Sequence, residues 1–92
     1  MYGIVYKTTN LLNGKIYIGI TRSNSQKYLG SGLNFKKALR KYGRQNFTRE
    51  TLCECHSKGE LEEREKFWIK KLDSRNKRIG YNLSKGGNSS LS

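Results

Sequence analysis

Two runs rich in β-branched and aromatic residues open the chain, YGIVYKTT at 2–9 and KIYIGI at 15–20, with NLLNG near their junction. Such runs fit a pleated, half-buried surface, and a short Asn- and Gly-containing connection returns the chain antiparallel to itself. A hairpin at the N-terminus is therefore the element that most restricts the fold. Its register is open. A loop of about six residues would place Tyr6 opposite Tyr17, whereas a tight turn at Asn13-Gly14 would separate them by about 13 Å along the strands. In either register the two tyrosines share one face of the sheet, because side chains alternate with period two.

The rest of the chain supplies elements to cover that hairpin. TRSNSQKYLG (21–30) is polar and reads as loop. Ser31 is placed to cap a helix over 33–42, where Phe35, Ala38, Leu39 and Tyr42 recur at helical spacing and Gly43 supplies the stop. NFTRETLCEC (46–55) reads as a third strand. SKGE (57–60) has the spacing of a capping box, so a second helix begins there and runs to about Leu72. A polar turn, a short GYNL segment and the Gly/Ser-rich SKGGNSSLS follow. The order β-β-α-β-α predicts an α+β fold, a small, mostly antiparallel three-stranded sheet flanked by helices in a sandwich. Residues 1–83 form the one domain that 92 residues allow, and 84–92 have the composition of a tail or linker.

Charge restricts the partner. Nineteen Lys and Arg against seven Asp and Glu give a net +12, and neutralising phosphates relieves such self-repulsion while releasing counterions. Nucleic acid is the first candidate. No stretch has the length and apolarity of a membrane span, and the N-terminus lacks the pattern of a secretory signal, so the chain reads as a cytoplasmic, intracellular protein. CECH (53–56) offers three potential ligands within four residues, but without a second cluster this is not structural zinc spacing, and a free thiol pair is the simpler reading.

One acid is misplaced for a purely structural helix. Glu60, Glu62 and Glu63 suit the positive N-terminal end of the second helix. Glu65 falls instead in the apolar row Leu61, Glu65, Trp68, Leu72. From the helix alone it is either a snorkelling or Arg-paired glutamate, or an acid aimed at the sheet for a reason of chemistry.

GIVY (3–6) with YIG (17–19), EREKFWI (63–69) and GYN (80–82) together resemble the GIY-YIG endonucleases, in the family's order and over nearly the whole chain. YLGSG (28–32) before the basic helix is similar to the phage and intron-encoded homing branch. The resemblance implies a divalent-metal-dependent DNA endonuclease that hydrolyses phosphodiester bonds, here as the catalytic module of a homing-type enzyme. It assigns Glu65 to one Mg²⁺ or Mn²⁺ ion, Tyr6 and Tyr17 to the attacking water, and Asn82 to orienting a neighbour. A cation would clamp the scissile phosphate. Many members carry an Arg soon after the second motif; here Lys27 stands at about that position, Arg22 is the alternative and Arg40 a third. The first motif also departs from pattern, with Ile4 where a Gly is usual.

The expected partner is double-stranded DNA, held by Lys36, Lys37, Arg40, Lys41 and Arg44 around the first helix and by the free N–H groups near Ser31. A separate C-terminal DNA-binding region would complete the full-length protein. The competing reading is a catalytically inactive basic module that binds nucleic acid through the same helix.

Overall fold

The computed structural model describes residues 1–22 and 28–86. Strand β1 (Gly3–Asn10) pairs antiparallel with β2 (Ile16–Thr21) on one side and with β3 (Phe47–Cys55) on the other, giving the order β2-β1-β3. Helix α1 (Leu33–Tyr42) and a short 3₁₀ turn (Arg44–Asn46) precede β3, and α2 (Lys58–Leu72) follows it.

The hairpin adopts a register between the two expected. Tyr6 pairs with Gly19 and Thr8 with Tyr17. Local side-chain chemistry selects it. The Asn10 side-chain Oδ1 accepts from Leu12 N–H (2.9 Å) and the Asn13 Oδ1 from Lys15 N–H (2.9 Å). Gly14, at φ 76°, donates to the Asn10 carbonyl (2.8 Å), and Asn10 N–H closes the loop onto Lys15 (2.8 Å). Two Asx turns thus build a loop of intermediate length.

One apolar layer lies between the sheet and α2: Val5, Ile16, Ile18, Ile20 and Cys55 against Leu61 and Ile69. Ile69, rather than Trp68 or Leu72, continues the buried row of α2; those two are only partly buried beside it. Ser57 caps the helix as expected, its hydroxyl accepting from Glu60 N–H (3.1 Å). The opposite face of the sheet carries a second layer, Leu29, Phe35, Ala38 and Phe47, under α1. Helix α1 spans the expected residues, but its N-cap is Gly32, with no side-chain cap. Ser31 is engaged elsewhere.

A bulge in β3 governs which of its side chains face which layer. Val5 pairs with Cys53 but Tyr6 with Thr51, so β3 holds one extra residue there. An extra residue shifts the alternation by one place. Cys53 and Cys55 therefore face α2, with their sulfurs 3.9 Å apart as free thiols. Arg49 and Thr51 face the other way, with Tyr6 and Thr8.

The outer edge of β2 is also covered. Ile16 N–H donates to Ile79 carbonyl (3.0 Å) and Tyr81 N–H to Ile16 carbonyl (2.9 Å), a short parallel bridge. Among the described residues no helix is long and apolar enough to cross a membrane.

Candidate active site

Tyr6 and Tyr17 meet on the α1 face of the sheet, with ring centroids 6.5 Å apart. Gly19 lies between them. A Cβ there would stand 2.3 Å from the Tyr6 hydroxyl and 2.9 Å from Tyr17 Cε2. Tyr17 stacks on Phe35 at 4.8 Å and lies against Gly30, whose Cβ would approach its ring to 2.7 Å. Segment 28–32 closes over both rings. Tyr28 meets Tyr6 edge-on at 6.1 Å, and the Thr8 hydroxyl donates to the Leu29 carbonyl.

Burial pushes both phenols above their ordinary range. The nearby Tyr17 and Tyr28 phenols and a side-chain hydrogen bond with Tyr28 push Tyr6 further, while Arg49 opposes them. At Tyr17, hydrogen bonds from the Ser31 side chain and backbone act downward, and the Glu65 carboxylate acts upward. Ser31 therefore serves Tyr17 instead of the helix terminus.

Glu65 is on α2, beneath the opposite face of the sheet, yet it shares a cavity with Tyr17 because β2 is an edge strand. A cavity of about 140 Å³ opens around that edge, lined by Tyr17, Glu65, Tyr81 and Asn82 among others. Glu65 is buried at 6% exposure, and a Cβ on Gly86 would lie 3.1 Å from its Oε1. Asn82 is buried too. Its Oδ1 accepts from Ile18 N–H and its Nδ2 donates to the Ile18 carbonyl, both at 2.8 Å. The side-chain amide thus takes the place of a neighbouring strand and holds β2 between Tyr17 and Gly19. Among the described residues no three His, Cys, Asp or Glu side chains gather to hold a metal. Glu65 is, among the described residues, the one carboxylate lining this cavity, beside the Asn82 amide and the Tyr17 and Tyr81 rings. A single carboxylate ligand suits a hard divalent ion that keeps most of its waters, not a soft or fully caged one.

Residues 2–80 match the model of the GIY-YIG catalytic domain. The chain belongs to the GIY-YIG family. It is 42% identical over 91 residues to segE and 38% identical over 84 residues to segD of Enterobacteria phage T4, which carry endonuclease names. These alignments cover 95% and 84% of the chain but only 43% and 38% of the relatives, so the chain spans about two fifths of their length. A mutant catalytic domain of the intron endonuclease I-TevI superimposes over the whole of both chains with a TM-score of 0.78 at 25% identity. GIY-YIG nucleases use a divalent metal, and the Glu65 cavity is compatible with one.

The cations of this GIY-YIG domain are less regular. Lys27 lies outside the described residues. Arg22 stacks on the Tyr2 ring at 4.5 Å, and Arg40 is exposed on α1 with Lys36, Lys37 and Lys41; Arg44 is exposed in the 3₁₀ turn. The cation placed against the tyrosines is Arg49, which the sequence reading passed over. Its Cζ lies 5.0 Å from the Tyr6 ring centroid, and its Nη1 donates to the Tyr28 carbonyl (2.9 Å). Tyr28 was also passed over, although it stands in the YLGSG motif.

Proposed function

We propose that this chain is the catalytic module of a homing-type endonuclease that hydrolyses phosphodiester bonds of double-stranded DNA with one Mg²⁺ or Mn²⁺ ion. The observation that carries the reading is the convergence of Tyr17, Glu65 and Asn82 on one cavity, with Tyr6 beside Tyr17 across Gly19. Glu65 would hold the ion, which when bound lowers the proton affinity of nearby oxygens and offsets charge on phosphate. Tyr6 and Tyr17 orient the attacking water, and one of them, having first released its own proton to solvent, takes the water's proton as phenolate while the new P–O bond forms. The bond from phosphorus to the leaving sugar oxygen breaks, and that oxygen takes a proton from solvent water. Asn82 acts through the backbone, fixing the strand that carries Tyr17.

The path of the DNA follows from charge. A groove of about 280 Å³ between α1 and the turn after α2 is lined by Lys15, Lys37, Lys41 and Lys77 with Tyr42 and Tyr81, and by no acid. Lys15 lies over the Tyr81 ring at 6.0 Å and Lys41 over Tyr42 at 5.3 Å, so two of the ammonium groups are held in place. Tyr81 belongs to this groove and to the Glu65 cavity alike. Phosphates leaving the cavity would therefore run along the lysines. Lys36 and Arg40 on α1 and Arg44 in the 3₁₀ turn are exposed and, with the N–H groups by Ser31, offer further contacts for the DNA backbone. Lys27 and Arg22 stay candidates for the clamp on the scissile phosphate.

Base reading asks for Arg or Asn forks in a groove, and this surface offers mainly lysines. We place sequence-specific recognition in a separate C-terminal region of the full-length protein, joined through the Gly/Ser-rich residues 84–92.

The test is nicking of supercoiled plasmid with Mg²⁺. The wild-type chain should cleave, and Glu65→Gln should be slower by about 10² or more while melting normally, because the amide keeps the shape and loses the charge. DNA binding by both proteins with cleavage by neither would favour the rival reading, a silent basic module, for which the lysine groove alone suffices.

A further inference from the structure

We infer that Arg49 is the positioning residue of Tyr6, holding the ring in place beneath segment 28–32 and setting a permanent positive charge beside it for the moment when its oxygen acts as base. This rests on the nuclease reading above and adds to it a residue from β3.

Three observations converge. The guanidinium is laid on the Tyr6 ring, with Cζ 5.0 Å from the centroid, an arrangement in which ring and cation attract each other. Nη1 ties the group to the Tyr28 carbonyl (2.9 Å), and Tyr28 itself packs edge-on against Tyr6 at 6.1 Å. Finally, Nε and Nη2 are shielded from solvent and have no hydrogen-bond partner among the described residues. Those two nitrogens form the side-on fork of the group, the edge that ordinarily grips a carboxylate or phosphate. With no acceptor on that edge among the described residues, the guanidinium charge is not neutralised by a partner and acts on the Tyr6 ring beside it.

The groups facing Tyr6 are Tyr17 from β2, Tyr28 from segment 28–32 and Arg49 from β3. The first two are phenols that disfavour a negative charge on Tyr6; among the described residues, Arg49 is the group that favours it. To act as base, Tyr6 must first release its own proton to solvent, and its phenolate oxygen then takes one from the attacking water. Charge develops on the ring at the first event, and a cation already on the ring face stabilises it without reorganisation. Arg49 touches neither water nor phosphate in this scheme.

The experiment is a double-mutant cycle on cleavage rate at saturating metal and DNA, comparing Arg49→Met and Arg49→Lys in the wild-type and Tyr6→Phe backgrounds. DNA affinity is measured in parallel without added metal, and melting reports the fold. Arg49→Met should slow cleavage by about 30-fold with affinity within about twofold of wild type, and Arg49→Lys should recover most of the rate. In the Tyr6→Phe background, Arg49→Met should cost less than about threefold further, because the two residues act as a unit. The inference is overturned by equal losses in both backgrounds, by a Lys variant as slow as the Met variant, or by a defect in affinity with an unchanged rate, which would make Arg49 a phosphate contact. Should Arg49→Met fail to fold, the Lys variant in the two backgrounds decides by the same additivity criterion. Wild-type protein that does not cleave at all would sink the nuclease reading itself. Active wild type with equally active Arg49 variants sinks only this one.

Discussion

The Tyr6 hydroxyl occupies the space that a side chain on Gly19 would need, 2.3 Å from where a Cβ would stand. The two residues pair across β1 and β2, so the glycine of YIG is a seat for the tyrosine of GIVY. Gly19→Ala should therefore displace Tyr6 and, at 2.9 Å, Tyr17 as well. Cleavage should fall by about 10², since small misplacements of reacting groups cost that much. Gly59 on α2 has open space around it, so Gly59→Ala should leave the rate alone and raise stability by up to about 1 kcal/mol. Rate assays and denaturant midpoints on the two variants test the contrast. Equal rates for Gly19→Ala and wild type would refute the seat.

Asn82 replaces a strand neighbour for Ile18 with both ends of its amide. Asn82→Leu leaves a buried N–H and a buried C=O without partners, which should destabilise the domain by about 2–4 kcal/mol. Asn82→Asp keeps one contact and sets a carboxylate oxygen against the Ile18 carbonyl, so it should not rescue. Chemical denaturation measures both. A loss under about 1 kcal/mol for the Leu variant would mean that β2 does not depend on this pairing.

Alkaline pH should unfold the protein early. Burial pushes the Cys55 thiol up to about 12, aided by neighbouring Cys53, and raises Tyr6 and Tyr17 as well. For each group the folded state keeps its proton after the unfolded chain has released it. Unfolding thus becomes easier as pH rises past the ordinary values, about 8.5 for a thiol and about 10 for a phenol. Stability should be flat near neutrality, fall from about pH 9 and steepen above about pH 10. Cys55→Ala should remove the first part of that slope and Tyr6→Phe some of the second, as followed by urea midpoints across pH. Identical slopes for Cys55→Ala and wild type would exclude the thiol.

Lys15 and Lys77 flank Tyr81 in the lysine-lined groove. If phosphates lie there, Lys15→Gln and Lys77→Gln should each weaken DNA binding and reduce its salt slope by about one, with the rate at saturation unchanged. Lys58→Gln, exposed at the start of α2 across the sheet, serves as control. The chain alone should also discriminate target from random duplex by less than about 10³ at physiological salt, because its lysines hold phosphates without reading bases. Fluorescence-anisotropy titrations over a salt series check both statements. An unaltered slope for the two groove variants would remove the groove from the DNA path.

Local chemistry in the sequence determined much of this protein. The hairpin runs, the Ser57 cap, the basic helix over 33–42 and the isolated acid at Glu65 depend on period, composition and spacing, which are properties of neighbours along the chain. So is the shared face of Tyr6 and Tyr17, which any hairpin register of the right parity preserves. Tertiary structure decided what depends on distant neighbours. The register turned on side-chain bonds from Asn10 and Asn13, and Ser31 left the helix terminus because Tyr17 lay within reach. Asn82 found its partner 64 residues away. Arg49 is the sharpest case. Strict alternation along β3 would place Arg49 on the same face as Cys53 and Cys55, toward α2. One extra residue in that strand reverses the alternation on one side of the bulge, and only then does a guanidinium come to lie on the Tyr6 ring. A bulge is created by pairing with another strand, so it is not encoded in the period of the strand that carries it.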